Sequence, residues 1–320
     1  MCQAIDAEIE AKLQKVYNSK KSKKLERGIA FPTCISMNHI VGHFSPLADE
    51  SITIKDGDMV KIVCGCHIDG FASIAATTVV VGTATARQAD AMLAAHQAMM
   101  AAERIIKEGA TNHEVTEAMN KICADYSCNM VEGVLSHKVK KFCIDANQTI
   151  ISKETGQARV EEWTFAPGDV IGLDVYVMTG EGEPKLAEQR TTVYKRQIEN
   201  QYNLKINKSR QFFAEANKRF PSLPFCLRAF EDQTGAKVGV RECVDHELML
   251  PYPVLCAKEG EMVAQFKRTV AVLPKSTATL AGDLPFDATK FKTTNSLKNA
   301  EMKALVASEM WKRDDKKAKK

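Results

Sequence analysis

Cysteine and histidine side chains could hold a metal ion in this chain, but their spacing argues against a zinc site. The 320 residues include ten cysteines and seven histidines. Cys64 and Cys66 are two residues apart on a predicted strand, so their side chains would share one face of it. Cys123 and Cys128 are five residues apart. A structural zinc site needs four clustered ligands, and no second pair completes one. We therefore expect reduced, buried thiols, since the N-terminus lacks the basic and apolar stretches of a secretory signal.

The elements that must position these side chains follow an α/β pattern. Asp69-Gly70 is a hairpin turn signal between two apolar runs, and Thr111 with Glu114 forms a capping box at the start of a helix. Alternating and apolar patterns predict strands over 58–65, 73–81, 169–178, 191–195 and 262–273. Helical spacing predicts helices over 4–26, 87–107, 112–125, 209–219 and 301–311.

Bulk properties set limits on the class of protein. The sequence has no apolar run of the roughly 18 residues that a membrane helix needs, so we expect no membrane insertion. The net charge of +4 does not by itself indicate a nucleic-acid binder. The basic residues are nevertheless clustered, and a cluster is either an RNA-binding surface or ordinary solvated surface. The candidate RNA-binding residues are Lys20, Lys21, Lys23, Lys24, Arg27, Lys205, Lys208, Arg210, Lys316, Lys317, Lys319 and Lys320.

Several motifs, in one shared order, resemble those of the type-two methionine aminopeptidases, which have the pita-bread fold. They include Phe31-Pro32-Thr33 followed by His43, Leu135-Ser136-His137, Gly172-Leu173-Asp174, and Ala264-Gln265-Phe266-Lys267-Arg268-Thr269. Segments 223–226 and 251–256 resemble the insertion of the type-two branch. The resemblance implies an α/β (α+β) pita-bread fold, with curved antiparallel sheets flanked by helices and with a helical insertion.

Chemistry in that family uses two Asp, one His and two Glu that hold two divalent ions and activate a water. Carried over by position, Val63 and Ile74 stand for the aspartates, His137 for the histidine, and Asp174 and Lys267 for the glutamates. Apolar groups and an ammonium do not offset the dehydration of a hard cation. The resemblance therefore implies a protein without metal, cofactor or catalytic residues.

Two further expectations concern the same positions. Lys267 would form a salt bridge with Asp174 across the former metal site. His43 corresponds to the family's substrate-side histidine. Without the metal ligands, His43 and His137 are more often packed or hydrogen-bonded remnants than catalysts.

Residues 189–196 and 227–232 resemble the corresponding segments of a non-catalytic, proliferation-associated and ErbB-receptor-binding branch of the family. The resemblance divides the chain into an N-terminal helix and basic segment (1–27), a pita-bread domain (28–285) and a basic C-terminal tail (286–320). A helical subdomain is expected to be inserted at 221–256. The branch resemblance implies a protein that binds structured RNA and the large ribosomal subunit and that modulates translation and cell growth.

Two alternatives remain open at the level of sequence. One is a protein scaffold or transcriptional co-regulator that binds receptor tails or nuclear factors. The other is an active metal-dependent methionine aminopeptidase. The sequence further predicts a monomer, because it shows no heptad pattern, and the resemblance implies a location in the cytoplasm and the nucleus.

Overall fold

The computed structural model describes residues 1–19, 24–50 and 52–313. Its helices are α1 (Cys2–Leu13), α2 (Ala86–Ile105), α3 (Asn112–Asp125), α4 (Asn207–Arg219), α5 (Gln233–Asp245) and α6 (Ala300–Ala307). Its strands are β1 (Arg27–Met37), β2 (Ile40–Gly42), β3 (Met59–Ile68), β4 (Phe71–Val80), β5 (Asn129–Met130), β6 (Leu135–Lys138), β7 (Thr149–Ile151), β8 (Val170–Met178), β9 (Lys185–Leu186), β10 (Val193–Arg196), β11 (Phe225–Cys226), β12 (Met249–Tyr252), β13 (Leu255–Cys256), β14 (Val263–Leu273) and β15 (Ser276–Ala281).

A nine-stranded antiparallel sheet forms the body of the molecule. Its strand order is β1-β3-β4-β14-β8-β6-β7, with β15 paired to β14 and β5 paired to β8. Successive residues of each strand point to opposite faces. The helices α2 and α3 cover one face, and the other face is left to line a cavity.

The helix α2 packs closely because small side chains face the sheet. Ala94, Ala95, Ala98, Ala101 and Ala102 are fully buried in the core. The helix begins with a capping box between Thr85 and Gln88 that the sequence reading missed. The predicted capping box of α3, between Thr111 and Glu114, is confirmed.

The hairpin between β3 and β4 is also confirmed. Asp69 and Gly70 have φ angles of 52° and 81°. Positive φ at both central residues is the geometry of the two-residue turn that fits the twist of paired strands. The ten-residue strands that flank this turn pair along their whole length, so the turn fixes the register of Val63 and Ile74.

The N-terminal helix is shorter than predicted. The sequence indicated a helix over 4–26, but α1 ends at Leu13. Asp6 holds this helix to the body, since its carboxylate accepts from the Thr33 amide at 2.9 Å and pairs with Arg228 at 2.7 Å. Val16, which continued the apolar spacing, is 42% exposed and has no such anchor. The helix ends where its apolar face stops being buried.

The segment that was expected to be a helical insertion contains strands as well. Within 221–256 the structure has α5, together with β11, β12 and β13. Strands β11 and β12 flank β10 in a three-stranded sheet, and α4 and α5 pack around Phe212, Phe225 and Phe230. The unit therefore begins with β10. Strand β10 corresponds to the strand predicted over 191–195, whereas β11, β12 and β13 have only two to four residues and give too little alternation for a prediction.

The end of the chain packs on the body over most of the predicted tail. Leu297 and Met302 are buried against the core of α2 and α3, and Phe286 stacks on Phe291 at 5.1 Å between ring centroids. Residues 286–313 are thus part of the domain in the described structure. Among the described residues, no helix is long and apolar enough to cross a membrane.

Candidate functional site

A cavity of about 510 Å³ lies against the sheet face that α2 and α3 leave open. Strands β3, β4, β8 and β14 form its floor, and residues 250–255 from the unit that begins with β10 contribute part of its wall. Apolar groups dominate the lining, among them Phe31, Val63, Ile74, Leu135, Ile144 and Leu255. The cavity brings together all six residues that the sequence assigned to the former active site: His43, Val63, Ile74, His137, Asp174 and Lys267.

The predicted salt bridge between Lys267 and Asp174 is confirmed. The two residues lie directly opposite each other on β14 and β8, and their side chains share the cavity face. Lys267 Nζ lies 2.6 Å from Asp174 Oδ2. The other carboxylate oxygen, Oδ1, accepts a hydrogen bond of 2.8 Å from the side-chain amide of Gln265. Both oxygens of Asp174 are therefore occupied by donors from this chain.

Val63 and Ile74 supply the apolar part of the floor. Their side chains are 6% and 5% exposed, respectively. Val63 pairs with Ala76, while Ile74 pairs with Gly65, so both lie on the cavity face of the hairpin. Ser73 and Ala75 point to the opposite face of the hairpin. Shifting the match between Ile74 and the family's aspartate by one residue would therefore not add a metal ligand.

The two histidines are held through the same ring atom. His137 Nδ1 lies 3.1 Å from the Ala146 carbonyl oxygen, and His43 Nδ1 lies 3.2 Å from that of Pro253. Burial lowers the pKa of both imidazoles, and the nearby Lys267 ammonium lowers the pKa of each further. Each ring therefore favours the neutral form with the proton on Nδ1, which leaves Nε2 as an acceptor.

These residues do not fit a pair of divalent cations. A two-metal site needs several anionic oxygen ligands around both ions. Here one carboxylate is present at the five positions, and a lysine and an amide already occupy its oxygens. Among the described residues, no group of three or more His, Cys, Asp or Glu is arranged to hold a metal ion.

Other charged groups of the cavity were missed from the sequence. Asp145 and Glu132 line it, and each carboxylate is paired with a lysine: Asp145 with Lys195 at 2.7 Å and Glu132 with Lys153 at 2.7 Å. No sequence spacing links these partners, because they come from distant segments.

Lys61 is a buried lysine on β3, two residues before Val63, and it was also missed from the sequence. It is fully buried, and Nζ donates to the Asn38 carbonyl oxygen at 3.0 Å. Burial lowers the pKa of its ammonium to about 7. The sequence did contain a signal for this burial: Lys61 lies two residues from the buried Met59 and two from the buried Val63, so all three side chains share one face of β3.

The cysteines are reduced, and they are only partly buried as a set. All ten are free thiols. Six are buried, whereas Cys64, Cys66, Cys143 and Cys256 are half-buried. The expectation of reduced thiols is confirmed, and the expectation of burial is wrong for these four. Cys64 and Cys66 lie on the face of β3 opposite Val63, where the covering by other elements is incomplete.

None of the RNA-binding candidates that the structure describes lines the cavity. Lys24, Lys205, Lys208 and Arg210 are exposed, and Arg27 is half-buried at the start of β1. Lys208 pairs with Asp232 at 3.0 Å. The remaining candidates, Lys20, Lys21, Lys23, Lys316, Lys317, Lys319 and Lys320, lie outside the described residues.

Two known proteins and one solved structure are similar to this chain over most of its length. It is 42% identical to ErbB-3 binding protein 1 of Solanum tuberosum over 310 residues, which span 96% of this chain and 79% of that protein. It is 42% identical to proliferation-associated protein A of Dictyostelium discoideum over 316 residues, with 96% and 80% covered. A thermophilic Arx1 structure superposes with a TM-score of 0.89 at 29% identity and covers 97% of this chain and 90% of that one.

The family itself is shown by a profile match and by these relatives. Residues 3–203 match the description "Metallopeptidase family M24". The predicted pita-bread fold is confirmed by that match together with the observed antiparallel sheets and six helices. The chain thus belongs to metallopeptidase family M24 and, within it, to the group of proliferation-associated and ErbB-3-binding proteins.

Proposed function

We propose that this chain is a non-enzymatic protein that binds RNA and the large ribosomal subunit and modulates translation and cell growth. The observation that carries the binding part is a set of exposed cations at α4 that have no carboxylate partner within residues 1–19, 24–50 and 52–313. The loss of catalysis is supported by the ion pair between Lys267 and Asp174. The Lys267 ammonium binds the Asp174 carboxylate at the place where the resemblance would put metal ions.

The unit formed by residues 193–256 holds most of the excess positive charge. It contains ten Lys and Arg against seven Asp and Glu, while the whole chain has a net charge of +4. On α4 and just before it, Lys208 and Arg219 are paired with Asp232 and Glu215, respectively. Three exposed cations of this region have no ion-pair partner among the described residues: Lys205, Arg210 and Lys218.

These three cations suit a phosphate backbone. Arg210 and Lys218 are eight residues apart on α4, which spans about 12 Å at 1.5 Å per residue. Cations at fixed spacing on a rigid helix contact phosphates without reading base sequence, so the binding is salt-sensitive and depends on shape. Side chains that already pair with carboxylates contribute less to such a surface.

The test is co-sedimentation with large ribosomal subunits over a salt series. The triple variant Lys205→Ala, Arg210→Ala, Lys218→Ala is expected to bind more weakly. The slope of log K against log salt concentration is expected to fall in magnitude by roughly 2–3. The matched control removes the same charge from Lys107, Arg159 and Lys303, which are exposed near α2, α3 and α6. Equal binding by both variants and the parent would contradict the α4 surface.

The basic segment before β1 is tested in the same assay. Replacing Lys20, Lys21, Lys23 and Lys24 by Ala is expected to weaken RNA binding and to flatten its salt dependence. Unchanged binding across the series would restrict the surface to α4. The proposal includes a cytoplasmic and nuclear location, which imaging of the tagged chain would test.

A second candidate function is protein binding, as in a scaffold or a co-regulator. It is favoured by the name of one relative, ErbB-3 binding protein 1. Complexes that survive nuclease treatment would favour this function over RNA binding. Catalysis is tested separately by metal content after dialysis: a bound stoichiometric metal together with release of N-terminal methionine from a peptide would overturn the non-enzymatic proposal.

A further inference from the structure

The cavity has no carboxylate free to receive a cation. Each of its three carboxylates is already paired with a lysine: Asp174 with Lys267, Asp145 with Lys195, and Glu132 with Lys153. A ligand that carries an ammonium group would therefore have to displace an existing ion pair. It would also approach the Lys267 ammonium, which is a like charge.

Lys267 has donors to spare. An ammonium carries three N–H donors. Lys267 uses one toward Asp174 Oδ2, and no other acceptor among the described residues lies within hydrogen-bond distance of Nζ. Its side chain is 18% exposed, and it lines the cavity. A carbonyl oxygen in the cavity would meet a cationic donor there.

The histidines provide the complementary acceptors. Because the carbonyl oxygens of Pro253 and Ala146 occupy Nδ1 of His43 and His137, Nε2 is the ring nitrogen left for another partner. Both rings line the cavity. A neutral imidazole with the proton on Nδ1 accepts at Nε2, so an N–H group of a ligand would find a partner at either ring.

We propose that the cavity binds a neutral, apolar secondary amide, namely an N-acylated residue with an apolar side chain. Its carbonyl oxygen accepts from Lys267, its N–H donates to Nε2 of His43 or His137, and its apolar groups pack on Val63 and Ile74. The cavity volume of about 510 Å³ suits a ligand of this size. The site is independent of the proposed RNA surface, since α4 contributes no residue to the lining.

The test compares two probes that differ by an acetyl group, which converts the ammonium into a neutral amide. The full chain is titrated with N-acetyl-leucine methylamide and with leucine methylamide, whose free amine is protonated at neutral pH, by calorimetry and ligand-observed NMR. The acetylated probe is expected to bind at least about tenfold more tightly. Equal or tighter binding of the ammonium probe, or no binding of either, would overturn the proposal.

Variants connect the preference to the named groups. The double variant Lys267→Met, Asp174→Asn removes the cationic donor without leaving a buried carboxylate unpaired, and it is expected to abolish the preference for the acetylated probe. Leu135→Trp narrows the cavity while keeping Lys267, and it is expected to weaken the binding of both probes. Lys205→Met, at an exposed position, is the matched control and is expected to bind like the parent. A double variant that keeps the full preference would contradict the role of Lys267.

Two sources of the same amide are then distinguished. A peptide that begins with N-acetyl-leucine and continues for several residues represents a blocked polypeptide N-terminus, and N-acetyl-leucine methylamide represents a small neutral N-acyl amide. Tighter binding of the peptide supports the polypeptide source, and tighter binding of the methylamide supports the small molecule. Both outcomes support the site, and failure of both contradicts it. Ribosome binding by the α4 variants is scored separately, so either proposal can fail alone.

Discussion

Lys267 and Arg268 are consecutive on β14, yet they enter two different environments. Lys267 points to the cavity and pairs with Asp174, with 18% and 10% of the side chains exposed. Arg268 points to the helix-covered face, where it pairs with Glu103 of α2, with 7% and 3% exposed. Arg268 also pairs with Asp283 at 3.0 Å, and Thr279 donates to the other oxygen of Glu103 at 2.6 Å.

The difference shows how one strand separates structure from function. On the helix face the side chains of Arg268 and Glu103 are almost fully buried, and every oxygen of Glu103 has a donor from the chain. On the cavity face the cation keeps donors that nothing in the described structure uses. We call a charge network closed when its buried groups all have partners within the chain, and open when a donor or acceptor is left unused. A closed network stabilises the fold, whereas an open one can also bind a ligand.

The largest expected effect is on the helix face. Arg268→Met should lower the free energy of unfolding by about 3–5 kcal/mol, because it leaves the Glu103 carboxylate buried without its cation. Urea unfolding at neutral pH measures the loss. Adding Glu103→Gln should recover part of it, and a single variant as stable as the parent would show that this network does not hold the fold.

Replacing Lys61 should raise the free energy of unfolding, which is opposite to the effect of replacing Arg268. Its pKa of about 7 in the folded state lies below the value of about 10.4 for an unfolded lysine. Between these values the unfolded state binds more protons, so stability should rise with pH across that window, by at most about 1.4 kcal/mol per pH unit.

Replacing this lysine tests the sign directly. Lys61→Met should raise the free energy of unfolding near pH 6 by on the order of 2–4 kcal/mol and should flatten the rise above about pH 7. Urea unfolding at several pH values measures both effects, and Lys24→Met is the exposed control. A parent protein with no rise in stability above neutral pH would contradict the buried amine.

A smaller loss is expected on the cavity face. Lys267→Met should lower the free energy of unfolding by roughly 1–3 kcal/mol, since Asp174 keeps the hydrogen bond from Gln265 and water can enter the cavity. Thermal and urea unfolding measure this change beside that of Arg268→Met. If Lys267→Met were the more damaging of the two, the distinction between an open and a closed network would fail.

The smallest effect tests the outer part of the closed network. Thr279→Val should lower the free energy of unfolding by about 1 kcal/mol, because it removes one hydrogen bond to Glu103 while Arg268 still neutralises the carboxylate. Thr77→Val, a half-buried threonine on the outer face of β4, is the matched control. A loss as large as that of Arg268→Met would show that the hydroxyl, and not the ion pair, satisfies Glu103.

Much of the fold could be predicted because its signals are local. The Asp69-Gly70 turn, the capping box at Thr111 and the alternation that produces β14 each depend on neighbours within a few residues. The helix over 4–26 was predicted too long because its end depends on what the helix packs against. The strands of the insertion were missed because two to four residues do not establish a period.

The sequence by itself determined the family and the cavity positions, and it predicted that Val63, Ile74 and Lys267 stand where the family has metal-binding groups. These follow from residue identity and from motif order. Only the tertiary structure decided which charged and polar side chains already have partners within the chain. Asp145 and Glu132 meet their lysines across distant segments, and Nδ1 of His43 and His137 is taken by backbone carbonyls. Pairing and burial depend on distances in space, and residue spacing along the chain does not fix those distances.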